Sequence, residues 1–376
     1  MRKHYKILFL VLIAAGLITS SCGSKGSEVK KSGIKNTRQS LESFDNVTLS
    51  NEVKKGSADA AMMLGYRYDV GTEGVKQNFL KALRWYKKAE ELGSTEAKVR
   101  LGYLYMRGLG VKKNQDTAYA YFKGASDKGD MTGKASLGLY YLKNTDLPDS
   151  KMNAYYNIRE AADGGDPLGC YLMGTLYEKG IGVTADRTAA MSWYQKLTTA
   201  KNGMDTVPFY QQYPYQASYT ALALLESQES NPDYEKAFKT MKKAAGSGYA
   251  PAQYYLGIFY EKGQGVSKSY SNAKEYYELA AKQKYAAAQN QLGCLYYNGL
   301  GVDIDYSEAV YYQKLAASQG YAPAEVNLGY MYENGYGVEK NLETARAYYQ
   351  KAKDNNYDGA EEALTRIQQL IESQNS

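Results

Sequence analysis

Apolar residues run along the chain in short blocks spaced about four apart, break at a glycine turn, and resume in a second block. After Pro251 the residues Ala252, Leu256 and Tyr260 recur at intervals of four, which predicts one face of a helix. Pro251 sits in its first turn, where a missing N–H costs nothing. Gly263, Gly265 and Val266 end that helix, because glycine takes the left-handed conformation that reverses the chain. A second predicted helix carries Ala273, Tyr276 and Ala280 at helical spacing. Small residues at Gly257, Ala273 and Ala280 let the two helices approach, and Leu256, Tyr260 and Tyr276 are expected to fill the space between them. Two short helices cannot bury both faces alone, so such a unit needs neighbours.

The unit recurs. Leu-Gly (once Met-Gly) with a tyrosine three residues after the glycine appears at Gly65, Gly102, Gly138, Gly174, Gly257, Gly293 and Gly329, at intervals of 37, 36, 36, 83, 36 and 36 residues. The long interval exceeds two units by eleven residues. It is expected to hold a degenerate fifth unit around Ala221, Leu222, Leu225 and Ala237, with an insertion near 202–215. The fold expected is all-α: about eight helix-turn-helix units of 36 residues over 57–356, the third and fifth degenerate, with a capping helix in 357–376.

The start of the chain follows a different pattern. Arg2, Lys3 and Lys6 precede an apolar stretch from Ile7 to Ile18 that is too short to span a bilayer, which reads as a secretory signal over 1–21. Small residues Thr19, Ser20 and Ser21 stand before Cys22, and this resembles the lipobox of bacterial lipoproteins, in which that cysteine is diacylated. Thr19 replaces the usual leucine, and a plain secreted protein is the alternative. Residues 22–56 are polar, with Lys25, Lys30, Lys31, Lys35 and Arg38, and are expected to be a flexible tether behind lipidated Cys22.

Composition narrows the chemistry. The formal net charge of the 376 residues is +6. The leader and tether carry all of that excess, so the repeats are neutral and no nucleic acid is expected as a partner. The single histidine, His4, lies in the leader, which excludes histidine-based nucleophilic sites and metal sites from a processed chain. Three cysteines, Cys22, Cys170 and Cys294, are too few for a disulfide framework or a four-cysteine zinc site. Forty tyrosines against seven phenylalanines is the largest departure from average usage, and the repeat explains most of it.

The motif Ala-x3-Leu-Gly-x2-Tyr, then Gly-x-Gly-Val, then Ala-x2-Trp/Tyr-Tyr-x2-Ala-Ala resembles the Sel-1-like repeat family, relatives of tetratricopeptide repeats. The resemblance covers about four fifths of the chain and implies a right-handed α-solenoid. Six units keep the second-helix aromatic, as Trp85, Tyr121, Trp193, Tyr276, Tyr312 and Tyr348, whereas the third and fifth have Asn157 and Thr240 there and Pro148 and Pro232 in place of the glycine turn. The family includes a cysteine-rich subgroup with a bridge in every unit, and that pairing is missing here.

Possible catalytic signals have structural counterparts. The Gly-x-Gly-Val turns lack the Lys-Ser/Thr of a phosphate-binding loop. Glu90-Glu91 and Glu361-Glu362 diverge by about a hundred degrees on a helix, so neither pair points into one site. No cofactor and no metal are expected.

A binding surface is better supported. If the first helices line a concave side, as in tetratricopeptide arrays, positions three before, one after and four after the marker glycine share an open face. Its candidate ligand contacts are Tyr66, Tyr103, Tyr171, Glu178, Tyr254, Glu261, Tyr297, Tyr330 and Glu333. The alternative is that several of these rings seal the gaps between units. Phe209, Tyr210 and Tyr213 of the insertion are a second candidate contact site. The expected function is a non-catalytic scaffold, exported and lipid-anchored in a bacterial envelope, that binds another envelope protein or a peptide. The alternatives are a binder of cell-wall glycan and, more distantly, a wall hydrolase or β-lactam-reactive enzyme. Oligomeric state is left open.

Overall fold

The computed structural model describes residues 41, 43–72, 74–200, 204 and 212–375. The signal over 1–21, Cys22, Phe209 and Tyr210 lie outside the described residues. Among the described residues the chain is an α-solenoid of eighteen helices with no strand. It divides into two compact units, one ending at Leu225 and the other beginning at Glu226.

The first unit opens with α1 (Asn46–Lys54). Helix pairs follow: α2 (Ala58–Val70) with α3 (Phe79–Glu91), α4 (Thr95–Arg107) with α5 (Gln115–Ser126), α6 (Met131–Lys143) with α7 (Ser150–Asp163), and α8 (Pro167–Lys179) with α9 (Arg187–Thr198). Helix α10 (Tyr213–Glu226) and α11 (Tyr234–Gly246) form the fifth repeat, inside which the division falls. The second unit continues with α12 (Ala250–Lys262) and α13 (Tyr270–Lys282), α14 (Ala286–Asn298) and α15 (Tyr306–Ala317), and α16 (Ala322–Asn334) and α17 (Leu342–Asp354). It ends in α18 (Ala360–Asn375). From α2 to α9, and again from α11 to α18, each helix packs against the next in sequence.

Two expectations need correcting. Residues 22–56 are not a tether throughout: α1 buries Leu49 and Val53, and Leu41 is buried in the same cluster. The Asp45 carboxylate caps α1 by accepting from the Thr48 N–H, and Asn46 Oδ1 accepts from Arg67 in α2. One i, i+4 apolar pair on a nine-residue helix is too little periodicity to stand out from a polar stretch. The insertion is also shorter than 202–215, because Tyr213 already starts α10.

Helix ends follow the local sequence. Serine, asparagine or aspartate precedes most helices and accepts from a first-turn backbone N–H, as Ser57, Asn78, Asp166 and Ser269 do, each such cap being worth about 1 kcal/mol. Gly263 closes α12 in the left-handed conformation. Gly265, two residues on, has φ +68° and lies against the Tyr234 backbone of the preceding repeat, where a Cβ would collide with the chain. The turn therefore reverses the helix at its first glycine and docks on the previous repeat at its second.

The interior of each repeat is built from an alanine, a larger side chain four residues on, and a small or apolar residue three beyond that. Ala82, Tyr86 and Ala89 form this set in α3, and Ala273, Tyr277 and Ala280 form it in α13, all fully buried. Tyr277, not Tyr276, therefore fills the space between the helices. Its ring lies flat on the marker glycine, so that a Cβ at Gly257 would come within 2.5 Å of it. Tyr276 lies half-buried outside, stacked on Tyr260 with centroids 5.6 Å apart and planes at 11°.

Candidate functional site

The marker glycine, the residue four after it and the large second-helix residue form one interior contact in the first four, sixth and eighth repeats. Where the second helix supplies tyrosine, the first helix supplies a carboxylate. The Tyr86 hydroxyl donates to Asp69 at 3.0 Å, Tyr194 to Glu178 at 2.8 Å, Tyr277 to Glu261 at 2.6 Å, and Tyr349 to Glu333 at 2.7 Å. Burial, reinforced by the adjacent carboxylate, pushes all four phenols above their ordinary value of about 10. Where the second helix supplies a hydrocarbon, as Phe122 and Ile158, the matching first-helix residue is Met106 or Leu142, both buried. The pairing follows from hydrogen-bond economy: a buried phenol needs an acceptor, and a buried carboxylate needs a donor.

This frame accounts for three candidate contact residues. Glu178, Glu261 and Glu333 lie on the first-helix face, but each holds an interior phenol. Glu333 is engaged further, because Arg366 of α18 grips it with Nε to Oε1 at 3.1 Å and Nη2 to Oε2 at 2.7 Å. Burial raises the Glu333 carboxyl, yet the bonds from Arg366 and Tyr349 outweigh it and the net direction is down. Asp69 lacks such a fork; burial dominates there and its carboxyl is raised.

The candidate tyrosines divide between interior and surface. Tyr171 is buried between Tyr194 and Tyr213, with centroids 5.9 Å from each. Tyr213, proposed from sequence as an insertion contact, is thus turned inward onto Tyr171. Tyr66, Tyr103, Tyr254 and Tyr297 are half-buried, and Tyr330 is 42% exposed. Tyr103 shares a hydrogen bond of 3.0 Å with Ser136 of the next repeat, and burial pushes its phenol up to about 12. Tyr254 packs on Tyr277 and Tyr285. Some rings therefore do seal gaps between repeats.

Tyr297 and Tyr330 are the two candidates brought together beside open volume. They lie with centroids 6.2 Å apart, next to Tyr306 and Tyr336, at the edge of a cleft of about 470 Å³. Its lining comes from α14 and α16, with Glu362 and Arg366 of α18. Gln313 and Cys294 also line it. Sequence reasoning missed Gln313, Asn327 and Arg366, and weighed Glu362 only as half of an adjacent acid pair. A signal was present for Gln313: it replaces the interior tyrosine in the one repeat that carries Tyr297 where four others carry an acid. Cys294 is a free thiol, raised by burial, and Cys170 is free as well.

The Sel1 repeat pattern matches residues 58–94, 95–130, 167–202, 217–249, 250–285, 286–321 and 322–357, which is well over half of the chain. The chain belongs to the Sel1 repeat family. The unmatched stretch is the third repeat, which nonetheless forms the Sel1 helix pair α6–α7, with Ile158 packed over Gly138. The crystal structure of a Sel1 repeat protein from Oxalobacter formigenes is similar, with a TM-score of 0.54 and 23% identity over 92% of this chain and 98% of that one. Two curated proteins of Arabidopsis thaliana, the ERAD-associated E3 ubiquitin-protein ligase components HRD3A and HRD3B, are 33% and 34% identical over 85 residues. The match spans only 12% and 13% of those two proteins. Sel1 repeats are a protein-binding scaffold. Among the described residues no helix is long and apolar enough to cross a membrane.

Proposed function

We propose that the chain is a non-catalytic scaffold that docks another protein or a peptide on the first-helix face of its repeats, exported and held in a bacterial envelope through lipid on Cys22. The observation that carries the docking reading is the division of labour among the tyrosines. One set satisfies the interior, and a second set, ending in the exposed Tyr330, presents rings on the first helices beside a cleft. Tyrosine contributes large contact area at low entropy cost, which suits it to a binding surface. The HRD3A and HRD3B names describe components of a ligase, which fits a part that works by contact with others. The envelope placement rests on Arg2, Lys3, Lys6, the apolar stretch to Ile18 and the small residues before Cys22.

A photocrosslinking amino acid placed at Tyr297 or Tyr330 tests the surface, with Tyr156 and Tyr311 on exposed second-helix faces as controls. Discrete adducts from the first pair alone are expected. Equal labelling from both pairs, or none from either, would remove the docking reading. In the same cells Cys22→Ala is expected to move the protein from membranes to the soluble fraction, and retention on membranes would refute the anchor.

A further inference from the structure

The seventh repeat departs from the interior frame at two positions together. Gln313 stands where Tyr86, Tyr194, Tyr277 and Tyr349 stand, and Tyr297 stands where the other frames place Asp69, Glu178, Glu261 and Glu333. Gln313 still covers Gly293, but its amide stops at Asn290 and Cys294 and meets no acid four residues after the glycine. Tyr297 turns out toward Tyr330 rather than in. The volume that a phenol and a carboxylate occupy elsewhere belongs here to the cleft.

The polar groups around this volume are unbalanced. Asn327 spends its two amide N–H groups on Asn290 Oδ1 at 3.0 Å and Cys294 Sγ at 3.7 Å, and Gln313 spends its own on the Asn290 carbonyl at 3.2 Å and Cys294 Sγ at 3.7 Å. The Arg366 fork is held by Glu333. Two acceptors on the lining stand out. Gln313 is 2% exposed and its Oε1 has no partner among the described residues. Glu362 lies on the wall, exposed and in no ion pair among them. Two carboxylates against one guanidinium leave the site negative, and residues 286–376 as a whole carry twelve Asp and Glu against six Lys and Arg.

We propose that this cleft takes a basic side chain, Lys or Arg, of a partner peptide, with Glu362 as its counter-ion and the Tyr297 and Tyr330 rings as its walls. The proposal rests on the docking reading and narrows it to a class of partner residue. Aromatic faces attract cations through their quadrupole, most strongly where water is partly excluded. The chain uses the same contact elsewhere, with the Lys314 ammonium 5.7 Å from the Tyr332 centroid and Lys351 5.1 Å from Tyr348. An anionic ligand would instead meet an uncompensated carboxylate.

The probes are the capped tripeptides Ac-Gly-Xaa-Gly-NH2, with Xaa as Arg, Lys, citrulline, norleucine or Tyr, titrated by NMR into the full-length protein. The Arg and Lys probes are expected to bind, more weakly as salt rises, and the neutral ones at least about tenfold less tightly. Glu362→Gln is expected to weaken the basic probes by about tenfold. The double variant Tyr297→Glu/Gln313→Tyr rebuilds the pair of the other repeats, so it is expected to keep or raise the melting temperature while abolishing binding. Equal binding of norleucine or citrulline, a preference for the Tyr probe, binding unchanged by Glu362→Gln, or no binding of any probe would each overturn the proposal. The probes are synthetic, so these outcomes leave the docking reading to the crosslinking experiment. Crosslinked adducts that persist in Glu362→Gln would reject the pocket while sparing the surface.

Discussion

The seventh and eighth repeats are neighbours of equal length, and their helix pairs are capped by the same turn chemistry. In the eighth, Tyr349 lies on Gly329 and its hydroxyl reaches Glu333, which α18 then locks through Arg366. In the seventh, Gln313 lies on Gly293 and reaches no acid, and Tyr297 joins a surface cluster of rings. One repeat closes a buried phenol on an acid, and the other leaves a buried glutamine without one. On the docking proposal, a cleft in this fold needs no change in the backbone frame, only the exchange of one buried pair.

The contrast can be broken by truncation. Tyr349→Ala is expected to cost about 3–5 kcal/mol, since it empties a fully packed ring site and strands Glu333 beside Arg366 alone. Gln313→Ala is expected to cost about 1 kcal/mol, because the side chain is smaller and its Oε1 already has no partner among the described residues. Equal losses in chemical denaturation would mean that the seventh repeat is packed as tightly as the eighth.

A gentler test adds one methyl group under each side chain. A Cβ at Gly329 would lie 2.5 Å from a ring carbon of Tyr349, and the ring is held on its far edge by Glu333, so Gly329→Ala is expected to cost about 1–3 kcal/mol. At Gly293 a Cβ would meet the Gln313 amide nitrogen at 2.6 Å and its Cδ and Cγ at 2.9 Å, but these belong to an unbranched, flexible side chain with no acid fixing its end. Gly293→Ala is therefore expected to cost less than half as much by the same measurement.

The smallest expected effect lies in pH dependence. The buried phenols titrate above their unfolded value of about 10, so the unfolded chain loses its protons first. Their contribution is fully present below about pH 10 and is lost as pH rises toward the folded values. Tyr349→Phe is expected to lower stability by about 1–2 kcal/mol at neutral pH and to flatten the fall above about pH 10. An unchanged alkaline slope would show that the phenol is not held in its protonated form by the fold.

Much of the architecture is legible along the chain, because Leu-Gly-x2-Tyr and the paired turn glycines recur at nearly constant intervals. The interior side chain is not. Tyr276 lies three after Ala273 and four before Ala280, whereas Tyr277 lies four after and three before, so helical spacing alone cannot choose between them. Contact with Gly257 decides it, and that contact is made across helices. The acids Glu178, Glu261 and Glu333 were visible as a first-helix column, but their partners sixteen residues away are recognisable only once the two helices are paired. The short α1 was lost among polar residues. The cleft was legible only as an anomaly, a glutamine and a tyrosine in columns that elsewhere hold a phenol and an acid.

The buried phenol and its carboxylate lean on each other, so replacing either alone leaves a stranded polar group in the interior. Relatives of this chain should therefore vary at these two columns in step: acid with tyrosine, hydrocarbon with hydrocarbon. A repeat in which the bargain is broken on both sides at once marks the place where a lineage has traded a strut for a socket.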